Sequence, residues 1–176
     1  MAHKLTPFIT AEQIAERNIT LGKEITESYK DSEEPLVCIC VLKGAFLFFS
    51  DIIRCIDRPI EVDFVRLASY GTATSRGEDI VFSKDLEISI EGKDVLVIED
   101  IVDTGHSMDF LLHVLRGRNP KSLKICSLID KHERREKKVS VDFAGFELSD
   151  GFIVGYGLDY AERYRELDGI YELSTE

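Results

Sequence analysis

At 176 residues the chain has the size of one ordinary domain, large enough to bury roughly two-thirds of the surface its unfolded form exposes. Its 33 Asp and Glu outweigh 22 Lys and Arg, and the formal net charge of −11 argues against general binding to nucleic acid or anionic membrane, both of which need a basic face. An anionic small substrate has to be met by a local site.

TAEQIAERNITLGKEITESY opens on Thr10 with Gln13 three residues on, a capping-box pattern, and repeats Ile14, Leu21 and Ile25, so an amphipathic helix is predicted. Residues 35–42, PLVCICVL, are a continuous apolar run; without polar alternation they read as a strand covered on both faces, as in a parallel sheet. After Lys43–Gly44, AFLFFSDIIRCI sets Ala45, Phe48, Phe49, Ile52, Ile53 and Ile56 at helical spacing. IEVDFVRLASY then alternates like a strand. In GTATSRGEDIVFSKDLE glycine, hydroxyls and charges outnumber apolar residues, so residues 71–84 are expected to be a mobile loop, a lid over a site. EISIEGKD reads as a return into the sheet through a turn. KDVLVIED is a second buried strand, followed by the helix SMDFLLHVLRGRNP, with Met108, Leu111, Leu112 and Leu115 on one face before Gly117 and Pro120 end it. With the strand KSLKICSLID, residues 93–130 make one βαβ unit. GFIVGYGLD is the last predicted strand, and a polar tail follows.

No repeat, low-complexity tract or linker divides the chain, so residues 1–176 are expected to form one α/β domain around a mainly parallel sheet flanked by helices. Cys38, Cys40, Cys55 and Cys126 sit in apolar stretches with neither CxxC spacing nor clustered histidines, and read as buried free thiols rather than zinc ligands. MAHKLTPFITAEQ lacks a signal-peptide core, and Lys43 breaks the longest apolar region short of the roughly 18 residues of a membrane span. A cytoplasmic protein is expected.

Ligands of open parallel sheets bind beyond the carboxyl ends of the strands. Here each apolar run is followed by functional groups: VCICVL by Lys43–Gly44, VLVI by Glu99–Asp100, ICSLI by Asp130–Lys131, and FIVGYGL by Asp159. The turn DTGHS adds the hydroxyls of Thr104 and Ser107, Gly105 for close backbone approach, and the first amide donors of a helix, a nest suited to phosphate. A capped strand-to-helix connection would explain Gly105 and Ser107 equally well. It does not explain Glu99, Asp100 and Asp103 crowded before the turn, because such charges repel. Carboxylates beside a phosphate site make sense when they hold sugar hydroxyls, bind magnesium or move a proton.

VLVIEDIVDTGHSM resembles the phosphoribosyl pyrophosphate motif of type I phosphoribosyltransferases. VLKGAFLFFSDIIR, ASYG, SLIDKHERR and GFELSDGFIVGYGLDYAERYREL resemble, in order and spacing, the hypoxanthine-guanine phosphoribosyltransferases, particularly those of bacteria. The resemblance implies a parallel sheet with a small hood built from the N- and C-terminal segments, and a flexible loop opened by Ser69–Tyr70. It implies magnesium-dependent transfer of 5-phosphoribosyl from phosphoribosyl pyrophosphate to N9 of a 6-oxopurine, in a homodimer or homotetramer. Glu99 and Asp100 would hold the ribose hydroxyls directly or through magnesium, and Asp103, Thr104, Gly105, His106 and Ser107 would surround the 5′-phosphate, His106 through its backbone N–H. Asp103 would also face purine N7 as general base. Lys43–Gly44, after a Leu42–Lys43 peptide that is often cis in this family, and Arg165 would meet pyrophosphate. Lys131 would bond the purine O6, Phe152 stack on the base, Ile153 read its edge and Asp159 bind magnesium. Three rival readings are a xanthine-preferring relative, a non-catalytic regulator of the same fold, and a phosphoacceptor receiver domain. The regulator would be expected to lose Asp103 or Lys131, and the receiver carries its acidic pair on its first strand, whereas about 90 residues precede it here.

Overall fold

The computed structural model describes residues 3–70 and 79–175. Nine strands, β1 (His3–Ile9), β2 (Leu36–Leu42), β3 (Ile60–Tyr70), β4 (Asp79–Lys84), β5 (Asp94–Val102), β6 (Ser122–Asp130), β7 (Phe143–Glu147), β8 (Ile153–Val154) and β9 (Ile170–Thr175), form two sheets among the described residues. Three α-helices accompany them: α1 (Ala11–Ser28), α2 (Phe46–Ile52) and α3 (His106–Arg116). The larger sheet has the order β4-β3-β2-β5-β6-β7, all parallel except β4 at one edge. This is the mainly parallel α/β sheet expected from the unbroken apolar runs.

Those runs occupy the centre because both faces there are covered. Leu36, Cys38 and Cys40 of β2 and Leu96 and Ile98 of β5 face α1 and α2, packing on Ile14, Leu21, Ile25, Phe48 and Ile52. Val37, Ile39, Val95 and Val97 point the other way, onto Met108, Leu111, Leu112 and Leu115 of α3. The alternation is the strand pleat itself: every residue is apolar because every residue meets a layer. At the start of α1 the Thr10 hydroxyl accepts from Gln13 N and the Gln13 side chain accepts from Thr10 N, so the capping box forms as predicted.

The smaller sheet, β1-β9-β8, is antiparallel and joins the two ends of the chain, His3 opposite Thr175. It corrects the reading of GFIVGYGLD as a further strand of the main sheet. Only Ile153 and Val154 are strand, and they belong to the hood. Beneath the segment that follows, Asn18 Nδ2 donates to Tyr156 OH at 3.2 Å and that hydroxyl donates to Asp51 at 2.6 Å, joining α1, α2 and the 155–169 segment.

Two other expectations change. Of the proposed loop 71–84, residues 79–84 are strand β4, whose Phe82 packs on the core and stands 5.7 Å from the Phe110 ring; residues 71–78 lie outside the described residues. EISIEGKD does not re-enter the sheet as a strand. The Asp63 carboxylate accepts the N–H groups of Glu87 (2.7 Å) and Ile88 (3.0 Å), giving that backbone a partner other than a ladder, and pairing resumes at Asp94. Strand β7 was not anticipated; Arg17 of α1 donates to its carbonyls at Ala144 (2.6 Å) and Gly145 (2.9 Å).

Asp63 is 4% exposed. Burial alone pushes its carboxyl up, but the N–H groups of Phe64, Ile88 and Glu87 and the Lys84 ammonium outweigh burial and hold it below the ordinary range. Its contribution is therefore complete above the unfolded value of about 3.9 and is lost as pH falls through the lower folded value. Asp63→Asn is expected to lower stability by about 1–3 kcal/mol at neutral pH in urea unfolding. The gap from wild type should narrow below about pH 4, and a constant gap would remove the carboxylate as its source.

Candidate active site

Strands β2, β5 and β6 are parallel neighbours, so their carboxyl ends reach one edge. There β2 gives Lys43–Gly44, β5 gives Glu99 and Asp100, the turn into α3 gives Asp103 to Ser107, and β6 gives Lys131. The 155–169 segment comes over this edge from the hood and brings Asp159 and Arg165.

Contact among these segments is closest at Gly44, where the preceding Leu42–Lys43 peptide is cis as the resemblance implied. A Cβ on Gly44 would lie 1.7 Å from Asp100 Oδ2, and a Cβ on Gly157 would lie 2.1 Å from the Gly44 carbonyl oxygen. The loop after β2 is thus pinned between the acidic end of β5 and the hood segment. That segment is sharply folded: Tyr156, Ala161, Glu162 and Tyr164 all have positive φ, a conformation that persists only where the surroundings impose it.

Glu99 and Asp100 are adjacent carboxyls at the end of β5. Desolvation pushes Glu99 well above the ordinary carboxylate range and the charge of Asp100 adds to this; Asp100, half-buried beside it, is raised too by desolvation. A cation or hydroxyl donors brought to the pair would relieve that penalty. Among the described residues no three acids, histidines or cysteines stand close enough to hold a metal ion by themselves. Asp159 lines the same cavity as Asp100 but is held at Oδ1 by Arg165 (2.8 Å) and at Oδ2 by the Glu162 N–H (2.8 Å).

The turn into α3 has Gly105 at φ 89° as its N-cap, and no side chain caps the helix. Its first amide donors are therefore available to an anion. Residues Thr104 to Ser107 line a recess of about 130 Å³ together with Glu99. Behind the turn, the Thr104 carbonyl accepts from Glu136 N (2.9 Å) and Lys137 N (3.2 Å), while the His106 ring turns to Glu136 at 2.8 Å.

Next to this recess lies a cavity of about 650 Å³, in the usual range for small-molecule sites. Asp103, Lys131, Phe152, Ile153 and Asp159, which the sequence singled out, all line it. Lys131 is buried and its Nζ donates to the Gly151 carbonyl at 2.7 Å. Phe152 is 51% exposed, not core, and meets the Tyr160 ring edge-on at 5.5 Å. Ser69 and Tyr70 end β3, opposite Ile80 and Asp79. Sequence reasoning missed Arg134 and Asp150 in the cavity wall, and Glu162, which pairs with both Lys43 (2.7 Å) and Arg165 (3.3 Å).

The chain that forms this turn behind paired acids at the edge of a parallel sheet matches the phosphoribosyl transferase domain over residues 9–161. The chain belongs to this family. It is 46% identical over 167 residues to a hypoxanthine phosphoribosyltransferase of Salmonella typhimurium, an alignment covering 95% of this chain and 94% of the relative. It is also 46% identical over 160 residues to a hypoxanthine-guanine phosphoribosyltransferase of Bacillus subtilis, covering 91% and 88%. The crystal structure of a hypoxanthine-guanine phosphoribosyltransferase from Bacillus anthracis superposes with a TM-score of 0.90 at 38% identity, over 97% of this chain and all of that one.

For a phosphoribosyltransferase built this way, Gly44→Ala should leave folding intact and displace Asp100. Transferase kcat/KM is expected to fall by about a hundredfold, as when a reacting group is misplaced by an ångström. Circular dichroism with steady-state kinetics checks this, and full activity would mean that the Gly44–Asp100 contact is dispensable.

Proposed function

We propose that the chain is a hypoxanthine-guanine phosphoribosyltransferase of purine salvage, moving 5-phosphoribosyl from phosphoribosyl pyrophosphate to N9 of hypoxanthine or guanine and releasing pyrophosphate. The observation that carries this reading is Lys131, a buried donor-only ammonium whose Nζ reaches the wall of the cavity shared by Asp103 and Phe152. A 6-oxopurine offers it an acceptor at O6. Adenine offers an amino group there and would set donor against donor, leaving the buried ammonium with the Gly151 carbonyl but no acceptor on the base, a mismatch capable of large discrimination.

In the transfer, the bond from the anomeric carbon to pyrophosphate breaks with its electrons going to the leaving group, the N9–carbon bond forms, and the N7 proton passes to Asp103. Lys43 and Arg165 face the growing negative charge of pyrophosphate, and the amides of Thr104 to Ser107 hold the 5′-phosphate. Phe152 stacks on the base while Ile153 meets its edge through the backbone. Glu99 and Asp100, both held above their ordinary range by desolvation, with the Asp100 charge adding to the rise of Glu99, suit ribose hydroxyls or Mg2+, and Asp159 offers a further carboxylate. Mg2+ bound through one or two carboxylates and substrate oxygens would neutralise the diphosphate charge.

No helix of the described residues is long and apolar enough to cross a membrane. We place the protein in the cytoplasm, acting on small molecules rather than nucleic acid. Phe46 of α2 is 41% exposed and is suited to a dimer or tetramer contact.

A spectrophotometric assay with phosphoribosyl pyrophosphate and each of hypoxanthine, guanine, xanthine and adenine, with and without magnesium, tests the reading. Magnesium-dependent turnover of hypoxanthine and guanine is expected. Tight binding of phosphoribosyl pyrophosphate without turnover of any base would instead make the protein a sensor. Asp103→Asn should lower kcat by about 10²–10⁴ while phosphoribosyl pyrophosphate still binds.

A further inference from the structure

Two consecutive arginines follow Lys131 in the turn after β6, and they do different work. Arg135 is nearly buried and its donors are spent on the scaffold, at the carbonyls of Asp103 (3.0 Å), Val102 (3.3 Å) and Val139 (2.6 Å) and the carboxylate of Asp130. Arg134 is half-exposed and lines the purine cavity. Its Nε lies 3.2 Å from Asp103 Oδ1 and its Nη1 lies 3.9 Å from Asp150 Oδ1.

The Asp103 contact is the informative one. Asp103 Oδ1 is buried and receives no hydrogen bond from the described residues, and among them Arg134 is the one cation within ion-pair distance of it. A carboxylate turns easily about its last bond, so a general base needs something to fix which oxygen faces the proton. A guanidinium suits this, being planar and charged at every working pH. Asp150 is 87% exposed, so its pairing with Arg134 is weakly held, but it precedes Gly151, which takes the Lys131 ammonium, and Phe152.

We propose that Arg134 is a positioning residue that grips Oδ1 of Asp103, leaving Oδ2 for the purine N7 proton, and ties that carboxylate to the turn that reads the base. The inference rests on the hypoxanthine-guanine reading above and adds how its general base is aimed.

Arg134→Gln, Arg134→Lys, Asp103→Asn and the double variant Arg134→Gln/Asp103→Asn are compared in steady-state transfer to hypoxanthine, with thermal melting as the check on folding. Arg134→Gln is expected to lower kcat by about ten- to a hundredfold, the scale of a misaimed group. KM for phosphoribosyl pyrophosphate should stay within about twofold. Arg134→Lys should recover part of the loss. In the Asp103→Asn background the arginine substitution should cost less than about twofold more, because the group it aims is gone. Unchanged kcat in Arg134→Gln, or losses that multiply in the double variant, would overturn the inference while leaving the proposed function standing. Absence of transfer by the unsubstituted protein would sink both together.

Discussion

The catalytic edge depends on how closely two neighbouring strands end against each other. Where β2 leaves the sheet, the Gly44 backbone lies so near the Asp100 carboxylate that no side chain fits between them, and Gly157 closes on Gly44 from the opposite side. That double contact sets the distance between the loop after β2, the acids that end β5 and the hood segment. The parallel register of β2 with β5, Val37 to Val95 through Cys40 to Ile98, holds both strand ends at the same height. Packing of α1 and α2 on one face and α3 on the other then fixes the sheet that carries them.

Electrostatics explain how a chain with a net charge of −11 can serve a polyanionic substrate. Three cations of the edge have acidic partners, Lys43 on Glu162, Arg165 on Asp159 and Glu162, and Arg134 on Asp103, while Lys131 is held by the Gly151 carbonyl. An arriving phosphate thus exchanges one anionic partner for another rather than meeting a bare basic surface. Selectivity follows, because only a ligand with oxygens in several places can replace these pairings together.

Much of this was legible in the sequence where burial is two-sided. The runs at β2, β5 and β6 are apolar at successive positions because their residues meet helices on both faces, and such strands need no alternation to be recognised. Thr10 and Gln13 announced α1 through a local interaction that needs no tertiary context. Edges were harder. Strands β1, β4 and β7 are edge strands interrupted by Pro7 or Gly145 or rich in polar residues, and β9, between β1 and β8, pairs with β1 from far away in sequence. Glu99, Asp100 and Lys131 stood out in the sequence because each follows an apolar run, and Phe152 through the family motif around it. Arg134 stayed hidden in the charge run DKHERREKK, whose composition is that of a solvated face, and Glu162 meets Lys43 and Arg165 from a backbone that is left-handed at Ala161, Glu162 and Tyr164, which no local pattern announces.

The small sheet has a consequence for how the protein is made. Its β1 and β9 come from opposite ends of the described chain, and the segment that brings Asp159 and Arg165 over the sheet edge runs between β8 and β9. The parallel sheet and the turn into α3 are complete in sequence by Glu147, but the wall over them is fastened by β9, which pairs with both β1 and β8. A nascent chain could therefore capture phosphate before it can enclose a reacting sugar. Enclosure of a reacting sugar, with water kept out, therefore has to wait for β9 to be made.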